Sequence, residues 1–263
     1  MTGVRSLGFR TDLMLLTLQG ASVTCRDGYR VVRMPDNPTF RWGNFLLLDG
    51  AVEQGGLAGW QTAFTREFPG AEHVAIGLDT IDGVEPCPDE LAASGLIAEP
   101  SVVQTTRRTR PPPRPDTRAE YRPMRDEQDW QAAVELKVAN NERENPEQYR
   151  VFASLKIAAM RRLQERGNGV WFGAFADGLM VSGLGLFTDG GGTARYQSVD
   201  TRPEYRRRGL AGTLVHAAAE HVRHHHGVHT LVIVADPDYH AARLYRSLGF
   251  TDTEAQLQLE RAP

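Results

Sequence analysis

Arg195-Tyr196-Gln197-Ser198-Val199-Asp200-Thr201-Arg202-Pro203-Glu204-Tyr205-Arg206-Arg207-Arg208-Gly209-Leu210-Ala211-Gly212-Thr213 is the stretch from which the rest of the chain is read. It opens as a strand: Tyr196 and Val199 are β-formers, and no breaker interrupts the run before Pro203. It closes as a helix. From Leu210, apolar and small residues recur through Leu214, Val215, Ala218 and Val222 on one broad face. Between the two sits a basic turn, Arg206 to Gly209. The first N–H groups of a helix have no partner within it and lie at the positive end of its dipole. A glycine there lets a ligand approach the backbone closely. Strand, basic turn and helix start together make an anion cradle suited to a pyrophosphate.

A second stretch stands downstream, Ala242-Arg243-Leu244-Tyr245-Arg246-Ser247-Leu248-Gly249-Phe250. Arg206-x-x-Gly209-x-Ala211 resembles the Arg/Gln-x-x-Gly-x-Gly/Ala signature of the GCN5-related N-acetyltransferases (GNAT). The downstream run is similar to that family's Ala-x-x-Leu/Phe-Tyr-x-x-Leu-Gly-Phe. The resemblance implies a cofactor site for acetyl-CoA, formed by Ser198, Val199, Asp200, Arg206, Arg207, Arg208, Gly209, Leu210, Ala211, Gly212, Thr213, Tyr239, Ala242 and Tyr245. It implies that Tyr245 protonates the departing thiolate, a role the chemistry of a phenol allows. It also implies that backbone N–H near Val199 holds the acetyl carbonyl, and that splayed central strands take the pantetheine arm.

Two departures from the family stand out. The family often places a glutamate base on the fourth strand. Arg195 to Val199 contains no acidic side chain; Gln197 is the nearest analogue and Asp200 lies just beyond. Glu142 and Glu144, in a loop between two helices, are the other candidates. Tyr239 stands where the family usually has an asparagine, three residues before Ala242.

The whole chain has 263 residues and a net charge of −3, which gives no general basis for binding nucleic acid. Of 30 lysines and arginines only Lys137 and Lys156 are lysine, a bias that reads as codon usage rather than function. Cys25 and Cys87 are too few for a disulfide framework and lack metal-ligand spacing, so a reducing, cytoplasmic setting is expected. No leader pattern opens the chain. No apolar run approaches membrane-spanning length, so no membrane partner is expected.

The expected order of elements runs as follows. A helix at Phe9–Leu18 precedes a hairpin at Ser22–Arg33, turning at Asp27-Gly28. A strand at Phe40–Leu48, a helix at Gly56–Phe68, a strand at His73–Leu78, a short helix at Leu91–Ser94 and an extended segment at Ile97–Thr105 follow. Arg107 to Pro115, with four prolines among arginines, reads as a polyproline spacer in solvent. Beyond it come a strand at Tyr121–Met124, a helix at Arg125–Asn140 and a helix at Gln148–Arg166 with Phe152, Leu155, Ala159 and Leu163 inward. A hairpin turning at Asp177-Gly178, the opening stretch, a strand at Thr230–Ala235, a helix at Ala241–Leu248 and closing strands at Phe250–Leu259 complete the chain.

The two halves share an order of elements. Asp27-Gly28 corresponds to Asp177-Gly178, Gly56-Leu57-Ala58-Gly59 to Gly209-Leu210-Ala211-Gly212, and Gly95 to Gly249. The expected class is α+β: two GNAT-like domains, each a central mixed, mostly antiparallel sheet flanked by helices, the N-terminal one truncated. The boundaries fall at 1–106, 107–118 (linker) and 119–263. The first copy reads Glu53-Gln54-Gly55 where the second reads Arg206-Arg207-Arg208, and an acidic residue repels a pyrophosphate. That copy is expected to pack, shape the acceptor site or dimerise; a homodimer is one outcome. His221, His224, His225, His226 and His229 cluster at a helix end without a completing carboxylate or Cys, so no metal is expected.

Function then reads as transfer of acetyl from acetyl-CoA to an amine by direct attack. The acceptor is a small molecule or a peptide. A non-catalytic acyl-CoA sensor, and transfer of a longer acyl chain or to a hydroxyl, are the competing readings.

Overall fold

Both Asp-Gly pairs turn the chain. In the second, Asp177 and Gly178 both have left-handed φ, +51° and +78°, the twist that a two-residue hairpin needs. The computed structural model describes residues 3–38, 40–53, 56–141 and 145–262. Along the chain these form α1 (Leu7–Leu18), β1 (Ser22–Arg26), β2 (Tyr29–Arg33), β3 (Phe45–Leu48), α2 (Leu57–Glu67), β4 (Val74–Leu78), α3 (Pro88–Ser94) and β5 (Ile97–Thr106). Then come β6 (Glu120–Pro123), α4 (Glu127–Ala139), α5 (Pro146–Glu165), β7 (Gly169–Ala176), β8 (Leu179–Thr188), β9 (Thr193–Thr201), α6 (Leu210–His226), β10 (Thr230–Ala235), α7 (His240–Ser247) and β11 (Thr251–Arg261). The class is mixed α+β. Among the described residues no helix is long and apolar enough to cross a membrane.

The chain divides into two units. The first comprises residues 1–103, 234–239 and 252–263. Its strands run in the order β1-β2-β3-β4-β11-β5. β1, β2 and β3 are successively antiparallel, β3 and β4 are parallel, and β11 lies antiparallel to β4 with Leu257 opposite Leu78. Phe9 and Leu13 of α1, Leu46 and Leu47 of β3, Ile76 of β4 and Leu257 of β11 are fully buried together in its core. The expected closing strands of the second half are thus one strand, and its ladder partner β4 lies in the first unit. The expected strand at Phe40–Leu48 is shorter. Arg41–Gly43 forms a 3-10 turn, because the Asn44 amide donates to the carbonyls of Asn37 and Phe40 and draws the chain round.

The second unit comprises residues 104–233 and 240–251. Its order is β10-β9-β8-β7-β6. β6 to β9 are successively antiparallel and β9 with β10 is parallel. The unit's buried side chains include Trp171, Leu184, Leu186, Phe187, Leu214 and Leu231. α5 is rotated from expectation: Ala153, Ile157, Met160 and Leu163 are buried, whereas Leu155 is 56% exposed.

Candidate active site

β9 is not a regular strand. Gly185 pairs with Gln197 and Gly183 with Asp200, so Ser198 and Val199 together face the single residue Leu184. This is a β-bulge, and Ser198 takes φ +52°, a left-handed backbone uncommon for any residue but glycine. The extra residue shifts the alternation of side chains. Gln197 and Asp200, three apart in sequence, point to one face because their β8 partners are two apart. Tyr196 points to the other face, where its hydroxyl donates to the Val215 carbonyl of α6 at 2.9 Å. Burial pushes that phenol well above its ordinary value, and the neighbouring Tyr245 adds to the effect.

The parallel ladder between β9 and β10 covers Thr193–Arg195 opposite Thr230–Val232 and ends there. From Tyr196 onward the β10-facing edge of β9 has no ladder partner among the described residues. Unladdered N–H and C=O groups beside a bulge can pair with the amides of an extended ligand.

A 3-10 turn, Pro203–Tyr205, carries β9 into the basic loop. Arg207 has φ +62° and Gly209 φ +89°. α6 then starts at Leu210 with no side chain capping its first N–H groups, which leaves Gly209, Leu210, Ala211 and Gly212 to present backbone donors at a positive helix end. The three arginines divide their work. Arg206 turns back to the protein, donating to Asn140 Oδ1 at 3.0 Å and to the Thr201 carbonyl at 3.3 Å. Arg208 lies 4.7 Å over the Tyr205 ring and donates to the Glu204 carbonyl. Arg207 is exposed and has no side-chain partner among the described residues. Thr213 commits its hydroxyl in both directions: it donates to the Gly209 carbonyl and accepts from Asp116 N–H, each at 3.0 Å.

The Asp116 bond shows what the Pro/Arg-rich segment does. Its arginines and most of its prolines are exposed, as a solvated spacer requires, but the segment is tied down at a few points. Thr109 is buried with its hydroxyl 2.8 Å from His216 Nδ1, and Arg110 N–H donates to the Leu248 carbonyl at 2.7 Å. A Cβ on Gly209 would come within 2.1 Å of the Arg114 carbonyl oxygen, and one on Gly212 within 3.3 Å of Pro112. The close approach that Gly209 permits is made by the chain's own backbone. Local composition favours an exposed spacer, and the segment is one, held to α6 through Thr109 and Asp116.

Asp200 has a partner that the sequence reading missed. Its Oδ2 lies 2.9 Å from Lys137 Nζ on the last turn of α4, and the Lys137 side chain is only 8% exposed. Lys156 of α5 is close by, its ammonium 5.8 Å from the Phe152 ring. Burial pushes Lys156 down to about 8; Lys137 pushes the same way and Asp200 opposes. The signal in the sequence was rarity: the chain's two lysines both feel one carboxylate, Lys137 by contact and Lys156 at longer range. Because the folded value lies below the ordinary 10.5, the charged form is penalised in the native state. That penalty is complete below about pH 8 and fades as pH climbs toward 10.5. Lys156→Met should therefore raise the melting temperature at neutral pH, and the gain should shrink across that window. A gain that does not change with pH would show that charge is not its source.

Tyr245, on α7, is buried, with its ring centroid 6.2 Å from that of Phe250; Tyr196 packs on the same Phe250 at 5.9 Å. The Ala242 carbonyl accepts from the Gln104 amide at 3.2 Å. Tyr239 is 48% exposed and belongs to the first unit. Glu142 and Glu144 lie outside the described residues. At the end of α6, His221 and His225 stack at 4.2 Å.

A model of the acetyltransferase (GNAT) family matches residues 120–250. This part of the chain belongs to the GNAT family. No curated protein matches the sequence. Several solved structures share the fold over most of its length. A GCN5-related N-acetyltransferase from Kribbella flavida is 13% identical, with a TM-score of 0.67 over 100% of this chain and 97% of that one. A conserved protein of unknown function from Staphylococcus epidermidis is 8% identical, with a TM-score of 0.71 over 92% and 94% of the two chains. A tandem GNAT protein from the clavulanic acid biosynthesis pathway, solved without AcCoA, is 15% identical, with a TM-score of 0.57 over 97% and 95%. At these identities the likeness is one of fold.

Proposed function

We propose that the second unit transfers acetyl from acetyl-CoA to a primary amine by direct attack. The observation that carries this reading is the bulge at Ser198-Val199, set where the β9–β10 ladder ends. A non-glycine residue held at φ +52° is strain that persists only where surrounding structure over-determines it. A backbone N–H left out of the ladder there would meet an acetyl carbonyl as it gathers negative charge. The unladdered edge of β9 would take the pantetheine amides. The α6 amides, with Arg207, would hold the pyrophosphate. Tyr245 would give its proton to the departing thiolate. Arg206, Arg208 and Thr213 shape the cradle through the contacts described above.

Residues 119–263 are proposed as the catalytic copy and 1–106 as a degenerate one. In both, an antiparallel hairpin and a third antiparallel strand precede a helix and then a parallel strand. The degenerate copy differs at the helix start. The Glu90 carboxylate accepts from Leu57 N–H at 2.6 Å, so the protein's own anion sits at the N-terminus of α2. Of its counterpart to the three arginines, Gln54 and Gly55 lie outside the described residues.

Release of free thiol from acetyl-CoA over a panel of amines tests the reading, with CoA affinity measured in parallel. Turnover of at least one amine is expected. Tight CoA binding without turnover would instead make the unit an acyl-CoA sensor, and no CoA binding would defeat both.

A further inference from the structure

Only two of the chain's 30 lysines and arginines are lysine; Lys137 pairs with Asp200, and Lys156 is within electrostatic reach of both. They come from different helices, Lys137 at the end of α4 and Lys156 in the middle of α5. In a chain that otherwise uses arginine for its positive charges, two independent exceptions at one place call for a local cause. An ammonium is a compact point charge with three donors, whereas a guanidinium is a broad planar fork. The place also has a charge imbalance. Asp200 is the one carboxylate that acts on both ammonium groups, and its Oδ2 is spent on Lys137 at 2.9 Å. Lys156 makes no ion pair among the described residues; its recorded contact is the face of Phe152. Glu135 on α4, by contrast, is bound by Arg150 of α5 and feels Arg202. A partly buried cation beside a second cation is unfavourable unless an anion joins it. Burial depresses the titration of Lys156, Lys137 adds to the effect, and Asp200 opposes it without cancelling it. Asp200 shares the face of β9 on which Gln197 points, at the bulge assigned to the reacting carbonyl.

We propose that Lys137 and Lys156 anchor a carboxylate on the amine acceptor, so that the substrates are amino acids or similar carboxylate-bearing amines. Lys156 supplies the charge and Lys137, fixed by Asp200, the second donor. The acceptor's anion completes a group of two positive and two negative charges, and this orients its amine toward the bulge. The inference rests on the acetyltransferase reading, so its test must be able to fail separately from it.

Two measurements do this. In the first, amino acids are compared with their amides and their decarboxylated amines by thiol release from acetyl-CoA. The acid should be preferred over the amide by about tenfold to a hundredfold in kcat/KM, the range expected for one charge-assisted contact. Lys156→Met should erase most of that preference, lowering kcat/KM for the acid far more than for the decarboxylated amine, and Lys156→Arg should restore part of it. Equal use of acid and amide would overturn the anchor. So would a Lys156→Met enzyme slowed equally on every acceptor, since that would mark a proton-transfer or structural role. The second measurement needs no turnover. The wild-type protein is pulsed with acetic anhydride, and Lys137 and Lys156, being the only lysines, are read by peptide mass. Succinate should slow labelling of Lys156 severalfold and succinamide should not. Protection by succinate without turnover of any amine would keep the anchor and remove the acetyltransferase reading. Identical labelling with both probes, with no preference for acids, would remove the anchor.

Discussion

Tyr245→Phe should lower kcat for acetyl transfer by about a hundredfold or more, the range for loss of a positioned general acid. CoA affinity and melting temperature should change far less. The substitution removes one hydroxyl and keeps the ring, which is where the packing lies: Tyr245 is 4% exposed and its ring contacts Phe250, itself shared with Tyr196. A thiolate that leaves without a proton donor must do so as an anion, and that cost falls on the transition state alone. An interaction made only there shows in kcat and not in binding. The measurement is steady-state thiol release beside calorimetric CoA binding on the same preparation. If kcat holds, Tyr245 is a packing residue that happens to sit in the motif. If binding and kcat fall together, the hydroxyl supports the site's shape rather than the proton. Tyr196→Phe is the control. That hydroxyl is tied to the Val215 carbonyl, so its loss should cost stability and leave the chemistry near its starting rate.

Much of the architecture was legible because it is local. The boundary at Gly209-Leu210, the Asp177-Gly178 turn and the Gly227 stop after α6 are properties of a few adjacent residues, and the structure has each of them. The order of strands and helices in the second unit followed from the same signals. What could not be read depended on partners far along the chain. Nothing in Gln197-Ser198-Val199 announces a bulge, since the αL residue is a serine where a glycine would have been the signal. The phase of α5 was misjudged because Leu155 and Phe152 suggest a stripe, yet the buried stripe uses Ala153, Ile157 and Met160. Small and flexible residues fill a tight interhelical space and weaken the periodic signal. Lys137 and Lys156 lie 19 positions apart on two successive helices, Asp200 lies on a strand far downstream, and no sequence window holds all three. The Pro/Arg-rich segment was legible in part. Its composition does exclude helix and central strand, but excluding regular structure does not exclude packing. Thr109 within it and Asp116 just after it, which tie it to α6, are buried among exposed neighbours.

That tie makes Gly209→Ala a damaging small substitution. Two costs arise at once. The native φ of +89° suits glycine, and an L residue held in left-handed backbone loses about 1–2 kcal/mol. The added methyl would also lie 2.1 Å from the Arg114 carbonyl oxygen, a contact with backbone on both sides that no side-chain rotation relieves. Either the turn must open or the Arg114–Asp116 segment must lift, and lifting it strains the bond from Asp116 N–H to Thr213. A melting temperature several degrees lower is expected, together with a CoA affinity at least about tenfold weaker, since a loss of some 1.4 kcal/mol already gives that factor. Ala211→Gly separates geometry from helix propensity. It lies two residues on in the same turn and adds no bulk, so it should leave CoA affinity within about threefold while costing the roughly 1 kcal/mol that glycine costs a helix. If Gly209→Ala melts early and still binds CoA like the wild type, the cradle is not at this helix start and the pyrophosphate assignment is lost. If affinity falls as expected, the glycine serves the cofactor indirectly. It lets the protein's own segment press against the loop, and the loop so held presents the α6 amides to the phosphates.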